Sequence, residues 1–188
     1  PDYNFSNYFF DCNLNDGSSL LKLESFLSGF IKNDIFQNTS SYSLKVFFPQ
    51  NDSVDKFTIS IKNYTANDIF TDVINELSQS GFDAVASCNF NSNLFNGLNL
   101  YNYTDKKQNI SNNAEILRCS YKPGFNYGTF RISIDRLIGK MNQLKIQYGI
   151  EYFQEESNSK KFIWINYFYE EDFKNNISTQ WLSDPDST

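Results

Sequence analysis

The chain begins with a pattern typical of a strand followed by a helix. Residues 8–14 form a short aromatic run that ends in a polar turn at Gly17, as a strand does. The apolar residues that follow recur at steps of three and four, which predicts one face of a helix to about Asn33. These residues are Leu20, Leu23, Leu27 and Phe30.

Residues 42–90 continue with two strands, a helix and a further strand. Apolar and polar positions alternate over residues 42–48 and again over 57–61, as expected for half-buried strands. A helical pattern over residues 69–77 stops near Gly81. Residues 83–90 then predict a fourth strand. The complete order is βαββαβ, which is the signature of a ferredoxin-like unit.

The last third of the chain repeats much of this order. Residues 114–121 predict a strand, and a helical pattern follows to Leu144. Residues 146–154 and 160–168 predict two strands around a polar turn. Phe173, Ile177 and Trp181 lie four positions apart and predict a last helix. A fourth strand is either missing or contained in residues 184–188.

Two cysteines mark the apparent repeat. Cys12 and Cys119 each lie in a short apolar run that precedes a turn with glycine and a helical pattern, and they are 107 positions apart (119 minus 12). This spacing fits a duplicated small domain. We therefore predict an α+β protein with a first ferredoxin-like unit over residues 1–90. A polar connector follows over residues 91–113. The second unit covers residues 114–188, and its last strand is either missing or contained in residues 184–188.

Composition excludes several partners. The chain of 188 residues carries a net charge of −6, which argues against a nucleic-acid surface. No apolar run reaches the roughly 18 residues of a membrane span. The start shows no signal-peptide pattern, so we expect a cytoplasmic protein, although the sequence leaves open a leader removed before Pro1. A homo-oligomer also stays open.

The three cysteines predict buried thiols rather than a disulfide framework. Cys12, Cys88 and Cys119 each lie in a strand-like run, where cysteine usually behaves as a small buried hydrophobic residue. We expect three free thiols. A single disulfide is the alternative, and it would indicate an oxidising compartment.

A ferredoxin-like sheet has helices on one face only, so its other face has to be covered. Two units in one chain can cover each other, which would give a single-chain α+β barrel. This element order and duplication, over nearly the whole chain, resemble the dimeric α+β-barrel superfamily, which includes antibiotic-biosynthesis-monooxygenase-like proteins. The resemblance implies a pocket between sheet and helices or within the barrel. It also implies activities that range from cofactor-free oxygenases and isomerases to haem-handling enzymes.

The lack of histidine narrows the chemistry that this resemblance allows. The sequence contains no histidine, so it has no proximal haem histidine and no histidine acid–base pair. A cysteine zinc site is not expected, since no Cys-x-x-Cys spacing occurs. We therefore predict a protein without a metal or a cofactor.

Strand alternation selects the candidate site residues. If Phe10 and Cys12 face the helices, Asp11 and Asn13 face the other unit, and their counterparts in the repeat are Arg118 and Ser120. Asp11 and Arg118 would then hold equivalent places with opposite charge and could anchor a small polar ligand. A plain ion pair between the units is the alternative.

Trp164 and Asn166 share one face of their strand and could add an aromatic wall and an amide to this site. A core position for Trp164 is the alternative. We predict a small-organic-molecule binding protein. Whether it is also catalytic stays open, and a cofactor-independent oxygenase or isomerase is the candidate activity. A non-catalytic interaction protein, whose aromatic residues only build core and oligomer contacts, is the competing interpretation.

Overall fold

The computed structural model describes residues 2–32, 42–50, 55–65, 70–91, 93–103 and 113–169. The chain divides into two compact units, Pro1–Asn96 and Gly97–Thr188. The described residues form antiparallel sheet and three α-helices, so the α+β class is confirmed. The predicted last helix and tail strand lie outside the described residues.

Unit 1 has the predicted ferredoxin-like order. Its elements are β1 (Phe5–Leu14), α1 (Leu20–Phe30), β2 (Tyr42–Phe47), β3 (Lys56–Asn63), α2 (Phe70–Gln79) and β4 (Ala86–Cys88). The strands pair in the order β2-β3-β1-β4, and each pairing is antiparallel. The first strand therefore lies inside the sheet of this unit, between β3 and β4.

One face of this sheet packs on both helices. Phe10 of β1 and Ile59 of β3 lie directly opposite each other, and both are fully buried. They share a core cluster with Leu23 of α1 and Val73 of α2. Ser19 caps α1 by accepting a hydrogen bond from the Lys22 amide (3.2 Å). The alternation predicted for β1 is therefore correct, with Phe10 and Cys12 on the helix side.

The prediction of three free thiols is wrong. Cys12 and Cys88 face each other across β1 and β4 and form a disulfide. Cys119 is the free cysteine of the described residues, and burial raises the pKa of its thiol. The strand assignments were correct in outline. Burial and disulfide pairing are compatible here, since Cys12 is both buried and bonded.

Unit 2 contains a strand that was predicted as connector. Its elements are β5 (Leu94–Tyr103), which begins at the end of unit 1, then β6 (Asn113–Ser120), α3 (Tyr127–Leu144), β7 (Tyr148–Glu155) and β8 (Lys161–Phe168). The strand order is β5-β7-β8-β6. Asn126 and Thr129 form a capping box at the start of α3. Six hydrophobic residues of β5 are buried or half-buried at irregular spacing: Leu94, Phe95, Leu98, Leu100, Tyr101 and Tyr103.

Three strands of each unit are arranged alike. The order β2-β3-β1 recurs as β7-β8-β6, and both sets are antiparallel. Cys12 lies opposite Phe57, and Cys119 lies opposite Phe162, so the two cysteines have the same register. These pairings support the predicted duplication, which stays a prediction.

Among the helices of the described residues, none combines the length and the apolar character needed to cross a membrane.

Candidate functional site

The predicted site residues of unit 1 lie on the face of the sheet away from its helices. Asp11 and Asn13 are exposed and alternate with the buried Cys12. Thr58, directly opposite on β3, donates its hydroxyl hydrogen to Asp11 Oδ1 (3.0 Å). Because the proposed partner Arg118 belongs to unit 2, the predicted Asp11–Arg118 pair stays a prediction.

The predicted residues of unit 2 fall on two opposite faces. Arg118 and Ser120 are exposed on β6, and Arg118 lies opposite Ile163 on β8. Trp164, the next residue on β8, points to the other side and meets the ring of Phe130 on α3 edge-on, with centroids 5.7 Å apart. Trp164 and Asn166 therefore share the helix side of the sheet. Arg118 and Ser120 do not.

A chain of hydrogen bonds joins Trp164 and Asn166 to a residue that sequence reasoning missed. Trp164 donates its indole hydrogen to Asn166 Oδ1 (2.5 Å), and Asn166 Nδ2 donates to Glu115 Oε2 (2.9 Å). Asn166 is 8% exposed, whereas Glu115, opposite it on β6, is exposed. The indole fixes the amide, and the amide fixes one carboxylate oxygen. The result is an oriented carboxylate on the helix side of β6.

Two residues connected to this carboxylate by hydrogen bonds or by charge, Trp164 and Tyr148, pack on an apolar core. Trp164 and Tyr148 pack against a core cluster that contains Met141 of α3 and Ile150 of β7. Burial raises the pKa of Tyr148, and the negative charge of Glu115 raises it further. The phenol is therefore neutral at ordinary pH and can donate a hydrogen bond. Glu115 is thus a candidate base, and its charge acts on a hydrogen-bond donor, the Tyr148 phenol.

Several solved structures share the fold of this chain, and three of them illustrate the likeness. No protein-family model and no curated protein matches the chain. A protein provisionally named a chlorite dismutase gives a TM-score of 0.56 at 10% identity, over 96% of this chain and 86% of that chain. A provisionally named monooxygenase from Fusobacterium nucleatum gives 0.57 at 15% identity, over 95% and 82%. A mutant chlorite dismutase from Candidatus Nitrospira defluvii gives 0.54 at 8% identity, over 98% and 85%.

These neighbours are members of the dimeric α+β-barrel superfamily. The chain has the dimeric α+β-barrel fold. At such low identities the likeness concerns the fold alone. The roles of residues in this α+β-barrel chain must therefore be argued from its own geometry.

A second polar group of this α+β-barrel chain lies on the opposite face of the unit 2 sheet. Tyr167 donates its hydroxyl hydrogen to the buried carboxylate of Glu151 (2.7 Å), and Tyr169 donates to Asn102 (2.8 Å). Burial raises the pKa of Tyr169, and Glu151 adds to the effect. Gly149 allows this arrangement, because a side chain there would meet both tyrosines. These bonds tie β5, β7 and the end of β8 together.

A third network holds the β7–β8 hairpin. Tyr152 is fully buried, lies 2.8 Å from the Tyr121 hydroxyl and donates to Gln154 Oε1 (2.6 Å). Gln154 Nε2 then donates to the carbonyl oxygens of Asn158 and Lys161. The network satisfies polar groups of this hairpin and joins it to Tyr121 after β6, and we assign it a structural role.

The described ranges contain no group of three or more His, Cys, Asp or Glu side chains placed to hold a metal ion. The Glu115 chain was missed because Glu115 was read only as part of an apolar run. A signal for it lies in the alternation along β6. Glu115, Leu117 and Cys119 share one face of this strand, so a position of Cys119 on the helix side also puts Glu115 there.

Proposed function

We propose that the chain binds a small organic carbonyl compound on the helix side of the unit 2 sheet and moves a proton within it. The observation that carries this proposal is the Glu115 carboxylate, oriented by Asn166 and Trp164. A carboxylate fixed in this way is suited to act as a general base. The neutral phenol of Tyr148 supplies the complementary hydrogen-bond donor.

The proposed reaction is an isomerisation. Glu115 removes a proton from the carbon next to the carbonyl group, and the bonding electrons move onto the carbonyl oxygen as an enolate. Tyr148 donates a hydrogen bond to that oxygen while the negative charge develops. In a β,γ-unsaturated substrate, Glu115 then returns the proton to the γ-carbon, and the double bond moves into conjugation with the carbonyl group. An oxygenase reaction would begin with the same proton removal and would need molecular oxygen as a second substrate.

The fold supports a ligand-binding role, since its members include a protein named as a monooxygenase. Asp11, Asn13, Arg118 and Ser120 keep their predicted ligand-binding role as a separate proposal, because they lie on faces away from the helices. In the competing interpretation the Trp164–Asn166–Glu115 chain only joins β8 to β6. That interpretation predicts effects on stability without effects on chemistry.

Proton exchange with solvent tests the proposal directly. We expect the protein to accelerate hydrogen–deuterium exchange at the acidic carbon of acetylacetone or phenylpyruvate in D₂O, followed by proton NMR. Glu115→Gln should slow this exchange about 100-fold or more, because general-base catalysis typically contributes 10²–10⁴-fold. Glu156→Gln is the matched control, since Glu156 is exposed in the β7–β8 turn.

Two further variants separate the roles of Tyr148 and Trp164 at the Glu115 site. Tyr148→Phe should slow exchange while the probe still binds, since the phenol acts on the developing oxyanion. Trp164→Phe should have a smaller effect, because the indole reaches Glu115 only through Asn166. The proposal fails if the wild-type protein does not accelerate hydrogen–deuterium exchange and Glu115→Gln only loses stability. The Trp164–Asn166–Glu115 hydrogen bonds would then only join β8 to β6.

A further inference from the structure

A row of buried polar side chains crosses the helix-free face of the unit 1 sheet. Asn7 of β1 lies opposite Lys62 of β3, and Lys62 lies opposite Ser43 of β2. Asn7 is 0% exposed and Lys62 is 2% exposed. Side chains directly opposite each other on neighbouring strands have Cβ atoms about 5 Å apart. The side chains of Asn7, Lys62 and Ser43 therefore start from adjacent positions on one face of the sheet.

Two members of this row carry polar atoms that the fold leaves unused. Ser60 donates its hydroxyl hydrogen to Asn7 Oδ1 (2.8 Å), which fixes the amide and leaves Nδ2 as its free end. Asn7 Nδ2 and Ser43 Oγ are both buried, and neither has a hydrogen-bond partner among the described residues. Buried polar atoms without partners are rare in folded proteins and call for an explanation.

The chemistry of the row favours an anion. The Asn7 amide and the Ser43 hydroxyl can both donate hydrogen bonds, and Lys62 between them supplies a positive charge. The Phe5 ring, with its centroid 4.7 Å from Lys62 Nζ, adds an apolar surface at the same place. One charge, two neutral donors and an aromatic ring fit an organic carboxylate better than a phosphate, which carries more charge and more acceptors.

We propose that Asn7, Lys62 and Ser43 form a binding site for the carboxylate group of a small organic acid with an apolar body. The carboxylate would accept hydrogen bonds from Asn7 Nδ2 and Ser43 Oγ and would lie beside the Lys62 ammonium group. Ser60 is a positioning residue, because it acts through the Asn7 amide. This proposal is independent of the Glu115 site, which lies in unit 2.

Calorimetric titration with benzoate tests the site, and benzamide serves as the uncharged probe of the same shape. We expect benzoate to bind at millimolar concentration or below, and benzamide not to bind. Asn7→Leu and Ser43→Ala should each weaken benzoate about tenfold, the effect expected for one hydrogen bond to a charged group. Lys62→Met should weaken it further. Lys56→Met is the matched control, since Lys56 lies on the same face of β3 but is exposed.

The stability of the variants, measured without benzoate, shows whether Asn7 serves ligand binding or folding. If Asn7 serves a ligand, Asn7→Leu combined with Ser60→Ala should be at least as stable as wild type without benzoate. The pair removes the buried unpaired donor together with the hydroxyl that donates to Asn7. At one benzoate concentration, the melting temperature of the wild type should then rise more than that of Asn7→Leu. The proposal is refuted if the wild type binds no benzoate, or if Asn7→Leu and Ser43→Ala bind it as tightly as wild type. Ser60→Ala offers a milder change should Asn7→Leu fail to fold, and it should also weaken benzoate.

Discussion

Removal of the Cys12–Cys88 disulfide should destabilise unit 1 selectively. The bond joins cysteines 76 positions apart, and both of them belong to unit 1. In the chain-entropy model a closed loop of this length restricts the unfolded chain by about 4.5 kcal/mol at 25 °C. Domains of this size are stable by about 5–15 kcal/mol, so the loss would be a large part of the total.

The two units can be followed separately in one experiment. Both tryptophans, Trp164 and Trp181, belong to unit 2, so tryptophan fluorescence reports on that unit. Far-ultraviolet circular dichroism reports on both. In urea with a reductant, we expect the dichroism to show an early transition of about half the signal. The fluorescence midpoint should move much less.

Variants make the same test without reductant. The double variant Cys12→Ala/Cys88→Ala should show the early transition without reductant. Cys119→Ser should instead unfold like the wild type, because Cys119 forms no disulfide. Thiol counting on unfolded, unreduced protein should find one thiol. A count of three, or a double variant with unchanged urea midpoints, would refute the reasoning.

Three further substitutions have definite expected outcomes. Gly149→Ala would place a Cβ 2.5 Å from the Tyr169 hydroxyl and 3.1 Å from Tyr167 Cβ, so we expect a loss of about 1–3 kcal/mol in urea unfolding. Adding Tyr169→Phe should recover part of that loss, and no recovery would contradict the clash. Tyr101→Phe removes a hydroxyl that bonds to the carbonyl oxygens of Met141 and Ile146, and calorimetry should show a loss of about 1–3 kcal/mol. The pKa of Tyr148 is raised by folding, so its contribution to stability is complete below about pH 10 and is lost as pH rises further. Tyr148→Phe should therefore show a weaker fall in unfolding free energy above that pH, and an identical fall would contradict it.

The sequence predicts the fold well where alternation is regular. Phe57, Ile59 and Ile61 alternate with polar residues, and all three are buried on the helix side as expected. The strand β5 was missed because its apolar residues are spaced irregularly among asparagines and around Gly97. Both residue types are depleted in strands, so local preference pointed to a loop, and pairing within the sheet decided otherwise.

The candidate site was predicted only in part, because face and partner depend on distant pairing. Trp164 and Asn166 were correctly placed on one face, but the sequence did not show that this face meets α3. The disulfide was within reach of sequence reasoning. The ferredoxin-like order puts the first strand beside the fourth, so cysteines in both strands are potential partners. Asn7 and Ser43 carried no signal, since an unused buried donor is visible only in three dimensions.

The position of β1 inside its sheet determines when unit 1 can assemble during synthesis. Phe10 is made early, but its partner Ile59 follows 49 positions later (59 minus 10), and Cys88 comes later still. Contacts that are distant in sequence form slowly, because a long loop has to close first. The aromatic first strand must therefore wait in the growing chain, where its apolar side chains are open to association. Oxidation can link β1 to β4 only after residue 88 has been synthesised. The disulfide therefore forms only when all four strands of the unit 1 sheet are present.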